Sequence, residues 1–138
     1  MRFRTPLSTL IVAVVGLALA SSTTAASYRG ATLVIPRLGL ETRLASSLDE
    51  GPLAYYQDRD TLAIAGHRTT YSHPFSRLPM LRRGDKIQVD GVLFLVRRSV
   101  VVRPWETWIL DFRGVVLSAC HPAGSAAYRY VVFAAPAP

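Results

Sequence analysis

The chain has 138 residues, of which 50% are apolar and 18% are charged, values that fit a single globular domain and exclude a disordered, self-repelling polypeptide. Its net charge of +7 is carried almost wholly by arginine, which favours anionic partners such as phospholipid or acidic wall polymers. The sequence has no Lys/Arg run with interleaved aromatics, no Gly-rich phosphate cradle and no zinc-ligand spacing, so nucleic acid is not predicted as a partner.

Residues 1–26 have the pattern of an export segment. Arg2 and Arg4 precede an apolar run at residues 10–20, and small residues follow at 21–26. This three-part pattern is typical of a signal peptide. The apolar run is short against the roughly 20 residues that a membrane span needs, but with its flanks it nearly reaches that length. A cleaved signal peptide and a retained membrane anchor are therefore both open, and either predicts an extracytoplasmic domain, secreted or membrane-anchored.

The rest of the chain reads as a short linker, residues 27–31, followed by one folded domain, residues 32–138. Residues 46–57 are predicted to form a loop or a broken strand, and residues 75–81 one or two helical turns. Short β-rich runs predict strands at residues 32–35, 42–44, 61–66, 86–90, 92–98, 114–119 and 128–134, with residues 99–102 continuing the fifth of these or following a bulge.

The dipeptide Asp90-Gly91 stands between two of these runs. Asp-Gly is a strong tight-turn signal, so residues 86–90 and 92–98 should pair as a hairpin. Seven or eight short strands with little helix and no βαβ spacing indicate an all-β fold. We predict a closed or partly closed β-barrel with short helical turns.

Three residues with reactive side chains lie at or beside strand ends: His67, Cys120 and Arg129. Cys120 follows one predicted strand and Arg129 begins the next, so we expect the thiol and the guanidinium to lie near each other at one barrel rim. A thiolate is the nucleophilic form of cysteine, and a nearby cation favours it. An imidazole can protonate a departing amine, and a guanidinium can stabilise an oxyanion. Together they suit acyl transfer through a thioester.

The residue types alone leave other interpretations open. The chain has one cysteine, which excludes an intrachain disulfide, and a lone cysteine in a barrel strand is more often an inert core residue. A lone histidine is more often structural, and His73 and His121 also lie in predicted loops. A non-enzymatic exported barrel that binds anionic wall polymer through its arginines would fit the charge as well.

The acidic residues give no pattern that requires a metal. We expect these side chains to be solvated loop carboxylates: Asp49, Glu50, Asp58 and Asp60. No bound calcium is predicted, and no other cofactor.

Three segments, in this order, resemble the sortase family: AGHRTTY at residues 65–71, LSACHP at residues 117–122 and YRYVV at residues 128–132. They look like the family's histidine motif, its cysteine motif and the strand that supplies its arginine. The Cys-His-Pro and His-Arg-Thr-Thr-Tyr variants look most like class E sortases. The resemblance covers about residues 31–134.

The resemblance implies a β-barrel cysteine transpeptidase that cleaves an LPXTG- or LAXTG-like sorting signal between threonine and glycine. By the same resemblance Cys120 forms the thioester, His67 acts as acid and base, and Arg129 stabilises the oxyanion. The implied partners are secreted proteins with a C-terminal sorting signal and an amine from a peptidoglycan precursor or a pilin lysine. A degenerate sortase or a cysteine hydrolase is the alternative within this chemistry.

Three further residues are expected at the substrate groove. Tyr71 and Phe75 could line it, although aromatic residues at such positions also serve as core or rim packing. Ala119 stands where the family usually has threonine, and the missing hydroxyl is expected to reduce activity or alter substrate preference. Trp105 and Trp108 either flank the site or cap the barrel.

Overall fold

The structure is a computed structural model that describes residues 28–138. The predicted export segment, residues 1–26, lies outside the described residues, and so does the first residue of the predicted linker. Within the described part of the chain, no helix has both the length and the apolar character that crossing a membrane requires.

The domain is built almost entirely from β-strands. Eight strands are present: β1 (Thr32–Ile35), β2 (Leu40–Arg43), β3 (Leu53–Gln57), β4 (Thr61–Ala65), β5 (Lys86–Val89), β6 (Val92–Val102), β7 (Gly114–His121) and β8 (Tyr128–Pro136). Three complete turns of 3-10 helix lie between the strands of the described part of the chain: Pro36–Leu38, Leu78–Met80 and Trp108–Leu110. The second of these confirms the short helical segment expected within residues 75–81.

The strands form one sheet in the order β2-β1-β5-β6-β8-β7-β4-β3. Neighbours pair antiparallel except β4 and β7, which are parallel. The sheet curls into a half-barrel whose two edge strands are β2 and β3. The predicted all-β, partly closed barrel is therefore confirmed.

The β5–β6 hairpin forms where the Asp-Gly signal placed it. Asp90 and Gly91 have φ values of 51° and 81°, the left-handed conformation that a two-residue type I′ turn requires. β6 then runs through both segments predicted after the turn. Its pairing with β8 shifts register between Val96 and Arg98, which is the bulge that the sequence left open.

Strand β3 differs from the prediction of a loop or broken strand for residues 46–57. It pairs antiparallel with β4, with a register shift between Ala54 and Tyr56. Only Ala54 in this edge strand is buried, so the alternation of apolar and polar residues that marks a half-buried strand is weak there. β2 also begins two residues before the predicted range 42–44.

The predicted linker is partly integrated into the fold. The Gly30 N–H donates to the Leu44 carbonyl at 2.7 Å, and the Leu44 N–H donates to the Ala31 carbonyl at 2.8 Å. The residues just before Thr32 are thus hydrogen-bonded to the end of β2.

The central strands are buried on both faces. In β7, Val115, Leu117 and Ala119 point into the main core enclosed by the half-barrel. Val116 belongs instead to a smaller cluster on the outer face, whose other members are Ala63, Val102, Ile109, Val131 and Phe133. Since side chains alternate along a strand, Cys120 points to the outer face, together with Val116.

Candidate active site

Cys120 and Arg129 form a directly opposed pair. Cys120 lies in β7 and Arg129 in β8, and the two are Cα partners in the antiparallel register. Directly opposed residues in an antiparallel pair project to the same face with their Cβ atoms close together. Cys120 is a free thiol that is partly exposed. The sheet register therefore brings a reactive sulfur and a guanidinium together on the outer face.

His67 reaches the same place from the other side of β7. In the parallel β4–β7 pair Ala65 lies opposite Ser118, and the Gly66 N–H continues the ladder by donating to the Ser118 carbonyl at 3.1 Å. His67 follows two residues after Ala65, just past the end of β4, at the same end of the sheet as Cys120. The three residues singled out from the sequence thus lie at one end of the sheet, after β4, on β7 and on β8.

The Arg129 guanidinium is anchored through one nitrogen. Its Nη1 donates to the carbonyls of Ala126 and Tyr128, each at 3.0 Å. A guanidinium carries five N–H donors, and Nη1 supplies at most two of them. Donors on Nε and Nη2 are therefore left to bind a group in the cleft, while the anchored nitrogen fixes the orientation of the side chain.

His67 is held from two directions. Its side chain is 24% exposed, and Nε2 lies 3.0 Å from Asp49 Oδ1. The Tyr71 ring lies on it with a centroid separation of 5.1 Å. A hydrogen bond to Asp49 and the negative charge of that carboxylate raise the pKa of Tyr71. Tyr71, predicted at the groove, is exposed and has a φ of 52°, which is uncommon for a large side chain.

Arg68, the next residue, contacts the strand end that carries the nucleophile. Its Nη1 donates to the Cys120 carbonyl at 3.1 Å and to His121 Nδ1 at 2.8 Å. A guanidinium can only donate, so His121 accepts at Nδ1 and carries its proton on Nε2 when neutral. The Nε of Arg68 is buried without a hydrogen-bond partner. Arg68 therefore ties the histidine segment to the end of β7.

A pocket of about 320 Å³ adjoins Arg129 on the outer face. Its lining is mostly apolar and comes from the segment before β3, from β3 itself and from the β6–β7 loop, with Leu48, Tyr55, Ile109 and Ser118 among its residues. Partial burial raises the pKa of Tyr55, while a hydrogen bond with Ser118 and the charge of Arg129 lower it in part. A pocket of this volume with a mostly apolar lining is suited to apolar groups of a bound molecule.

A larger cavity, about 520 Å³, lies at the opposite end of the half-barrel, beside Thr61 and Gly114 where β4 and β7 begin. Neither cysteine nor histidine lines it, so we place the chemistry at the Cys120 end. Among residues 28–138 there is no group of three or more His, Cys, Asp or Glu side chains that could hold a metal ion.

Two residues expected at the groove lie in the core. Phe75 is 0% exposed and packs so tightly beneath Gly66 that a Cβ on that glycine would be 2.6 Å from its ring. Ala119 is 3% exposed and belongs to the main core, because strand alternation turns it away from the face that Cys120 occupies. Both side chains are therefore buried, and a role for them at the substrate groove stays a prediction.

The two tryptophans lie on the β6–β7 loop. Trp108 stacks on Phe133 at 6.0 Å between ring centroids, and Trp105 is 70% exposed. Both oxygens of Glu106 hold this loop, one accepting from the Arg103 N–H and the other from Trp108 Nε1. These hydrogen bonds lower the pKa of Glu106. Trp108 therefore covers the outer face, whereas the neighbouring part of the loop lines the pocket.

Sequence reasoning missed two contributors to this site, Asp49 and Arg68. The sequence predicts a solvated carboxylate at Asp49, and nothing in its local pattern distinguishes it from Glu50. Arg68 enters the prediction only as part of the AGHRTTY segment. Its position directly after the candidate histidine is the one signal that could have drawn attention to it.

The fold is a half-barrel sheet in which the parallel β4–β7 pair leads to His67 and the antiparallel β7–β8 pair sets Arg129 opposite Cys120. A comparison with known protein families matches residues 33–137 to the sortase domain. The chain belongs to the sortase family, a family of cysteine transpeptidases. The comparison with curated proteins gives no significant match.

Solved structures with a similar fold are sortases of several classes. Sortase C-1 from Actinomyces oris is 24% identical with a TM-score of 0.69, and the match covers 78% of this chain and 71% of that chain. Sortase E1 from Streptomyces coelicolor, with a tripeptide in its active site, is 22% identical with a TM-score of 0.68, covering 83% and 91%. Sortase A from Listeria monocytogenes is 14% identical with a TM-score of 0.67, covering 80% and 88%. At these identities the likeness shows the fold.

Proposed function

We propose that this protein is an extracytoplasmic transpeptidase that uses Cys120, His67 and Arg129 to cleave an LPXTG- or LAXTG-like sorting signal between threonine and glycine. It transfers the cleaved protein to an amine of a peptidoglycan precursor or of a pilin lysine. The observation that supports the proposal is the strand register, because Cys120 is the direct partner of Arg129 in the β7–β8 pair and β4, which pairs with β7, leads to His67. That arrangement supplies a nucleophile, a proton carrier and an oxyanion donor at one point.

In the first half-reaction the Cys120 thiolate attacks the carbonyl carbon of the threonine. Charge moves onto the carbonyl oxygen, where the remaining N–H donors of Arg129 bind it. The C–N bond then breaks, and protonated His67 gives its proton to the departing glycine amine. The products are a thioester on Cys120 and the released C-terminal fragment.

The second half-reaction runs through the same groups in reverse. An incoming amine attacks the thioester carbonyl, and neutral His67 takes one proton from its nitrogen. The C–S bond breaks, the sulfur leaves as thiolate and a new amide joins the two substrates. His67 is again protonated and Cys120 is again a thiolate, so the catalyst returns to its starting state with no external oxidant or reductant.

Recognition of the sorting signal is assigned to the outer face around Arg129. The 320 Å³ pocket next to Arg129 offers apolar lining from Leu48 and Ile109, which suits the leucine of such a signal. The motif variants around His67 and Cys120 favour class E, whose preference is alanine at the second position.

Placement outside the cytoplasm follows from the leader pattern of residues 1–26 and from the chemistry of the substrates. A sorting signal on a secreted protein and a cell-wall amine are both met outside the membrane. The enzyme is accordingly proposed to be membrane-anchored through this segment, or secreted if the segment is cleaved.

Product analysis separates transfer from hydrolysis. The purified protein is incubated with LAXTG and LPXTG peptides, with and without a glycine or lysine amine, and the products are resolved by liquid chromatography and mass spectrometry. A transpeptidase yields an amide product that increases with amine concentration. Release of only the free acid at every amine concentration would instead identify a cysteine hydrolase or a degenerate sortase. No cleavage of any peptide would count against the proposal.

A further inference from the structure

The candidate acid/base histidine has a carboxylate partner that the proposed chemistry has not yet used. Asp49 lies in the loop between β2 and β3, and its Oδ1 is 3.0 Å from His67 Nε2. This is the one ion pair to histidine in the described residues. The loop between β2 and β3 therefore places a carboxylate next to the His67 imidazole.

The contact fixes which ring nitrogen carries the proton. An ionised carboxylate has no hydrogen to donate, so Nε2 of His67 must be the donor in this hydrogen bond. When the imidazole is neutral, its single proton then resides on Nε2 and Nδ1 is bare. When it is protonated, the proton that can leave without breaking the Asp49 contact is the one on Nδ1.

Tyr71 contacts both Asp49 and His67. Its ring lies against the His67 ring at 31° between planes, and its hydroxyl hydrogen-bonds to Asp49, which raises the pKa of the phenol. Carboxylate, imidazole and phenol thus form a closed set in which each member contacts the other two. Such a set restrains rotation of the imidazole about its side-chain bonds.

We propose that Asp49 is a positioning residue for His67, which holds Nε2 as a donor and reserves Nδ1 for proton exchange with the substrate amine. The second half of this statement rests on the proposed transpeptidase function. The first half is a property of the folded protein and stands without it. Asp49 acts through His67 and touches neither the thiol nor the peptide.

The size of the effect follows from the exposure of the pair. The Asp49 side chain is 60% exposed, and exposed ion pairs contribute at most about 1 kcal/mol. A factor of up to about five in rate corresponds to that energy. The loss on removing Asp49 should therefore be far smaller than the loss of a catalytic residue and should appear in kcat, because an orienting contact does not hold the substrate.

The tautomer is tested directly by ¹⁵N NMR of the histidine ring at a pH well above the ordinary range for imidazole. In the full chain, His67 is expected to show a protonated Nε2 and an unprotonated Nδ1. In Asp49→Ala the two nitrogens should move towards a mixture of tautomers, whereas Glu50→Ala should leave them unchanged. A predominant Nδ1-H form, or an identical spectrum in Asp49→Ala, would overturn the proposal.

Kinetics on the same variants test the catalytic half. Asp49→Ala should lower kcat by up to about fivefold with KM unchanged, and Glu50→Ala, which removes the same charge one residue away, should match the parent protein. A raised KM at unchanged kcat, or equal losses in both variants, would contradict a positioning role. If the parent protein forms no thioester, the proposed function fails, and the NMR result still decides the Asp49–His67 contact.

Discussion

Cys120 and Arg129 face each other directly across the β7–β8 pair, so their proximity is set by the hydrogen-bond ladder of two central strands. β8 is also paired along most of its length with β6, which leaves little freedom for either backbone. A one-residue slip in this register would turn one of the two side chains to the opposite face. The geometry of the site is therefore as stable as the sheet itself.

The first prediction concerns the guanidinium. Arg129→Ala should lower kcat by about 100- to 1,000-fold with little change in KM, because an oxyanion donor acts on charge that develops only in the transition state. Arg129→Lys should recover part of this loss, since an ammonium retains the charge but lacks the planar set of donors. Steady-state cleavage of a quenched fluorescent sorting peptide measures both parameters.

The matched control is Arg113→Ala, an exposed arginine that lines the cavity at the other end of β7. It removes the same charge from the protein without approaching Cys120. If both alanine variants lost activity equally, net charge would account for the effect, and the role assigned to Arg129 would be wrong.

The second prediction concerns the residue before His67. A Cβ on Gly66 would lie 2.6 Å from the ring of Phe75, which is fully buried and cannot move aside. Gly66→Ala should therefore lower the free energy of unfolding by about 1–3 kcal/mol, the usual cost of overpacking a core. Urea denaturation measures it. Gly51→Ala, where the new Cβ would be 3.4 Å from Ala45 Cβ, should cost clearly less, and equal losses would contradict the packing account.

The third prediction concerns Arg68, whose guanidinium bonds the Cys120 carbonyl and His121 Nδ1. Arg68→Met keeps most of the apolar stem but removes the donors. We expect a loss of about 1.5–3 kcal/mol in unfolding free energy, the range for hydrogen bonds to a charged group. Amide hydrogen exchange should also become faster at the Cys120 end of β7. Arg83→Met, at an exposed position, is the control. Equal losses of unfolding free energy in the two variants would contradict a stabilising role for the Arg68 hydrogen bonds.

The fourth prediction concerns pH. Arg37 Nε lies 2.6 Å from Asp85 Oδ2, and the Arg82 N–H donates to the same oxygen. Burial opposes ionisation of Asp85, but the Arg37 hydrogen bond, the Arg82 N–H and both positive charges outweigh it and hold its pKa below the ordinary 3.8. The folded pKa is lower than the unfolded one, so the stabilisation is complete above about pH 4 and is lost as the pH falls through the folded pKa.

Urea midpoints at pH 7 and at about pH 2.5 test this sign. Asp85→Asn should be less stable than the parent protein at pH 7 by about 1 kcal/mol or less, because Arg37 is partly exposed. The difference should shrink at the acidic pH, because protonation of Asp85 removes the negative charge that Arg37 binds. Glu41→Gln on edge strand β2 controls for general loss of charge. A deficit that grew on acidification would contradict the assignment.

Much of the fold was predictable because its signals are local. The Asp90-Gly91 turn needs positive φ at both positions, and the sequence supplies residues that tolerate it. Strand β4 is a run of apolar residues that ends at a glycine, and its burial follows directly. Strand β3 was missed because pairing with β4, rather than its own pattern, makes residues 53–57 extended.

The candidate site divides in the same way. The motif residues His67, Cys120 and Arg129 could be named from the sequence. The alternation of side chains along a strand also predicts that Ser118 and Ala119 point to opposite faces of the sheet. What the sequence could not supply was the face on which each residue lies relative to the groove, which depends on how the sheet curls. Asp49 depends on a loop conformation that no local pattern encodes.

The account depends most on Cys120 forming an acyl intermediate, and intact-protein mass spectrometry tests that directly. The full chain, mixed with an LAXTG or LPXTG peptide and quenched in acid within seconds, should gain the mass of the peptide up to its threonine. Peptide mapping should place that mass on Cys120, and hydroxylamine should remove it. Absence of the adduct under conditions where peptide is cleaved, or its persistence in Cys120→Ala, would contradict the account.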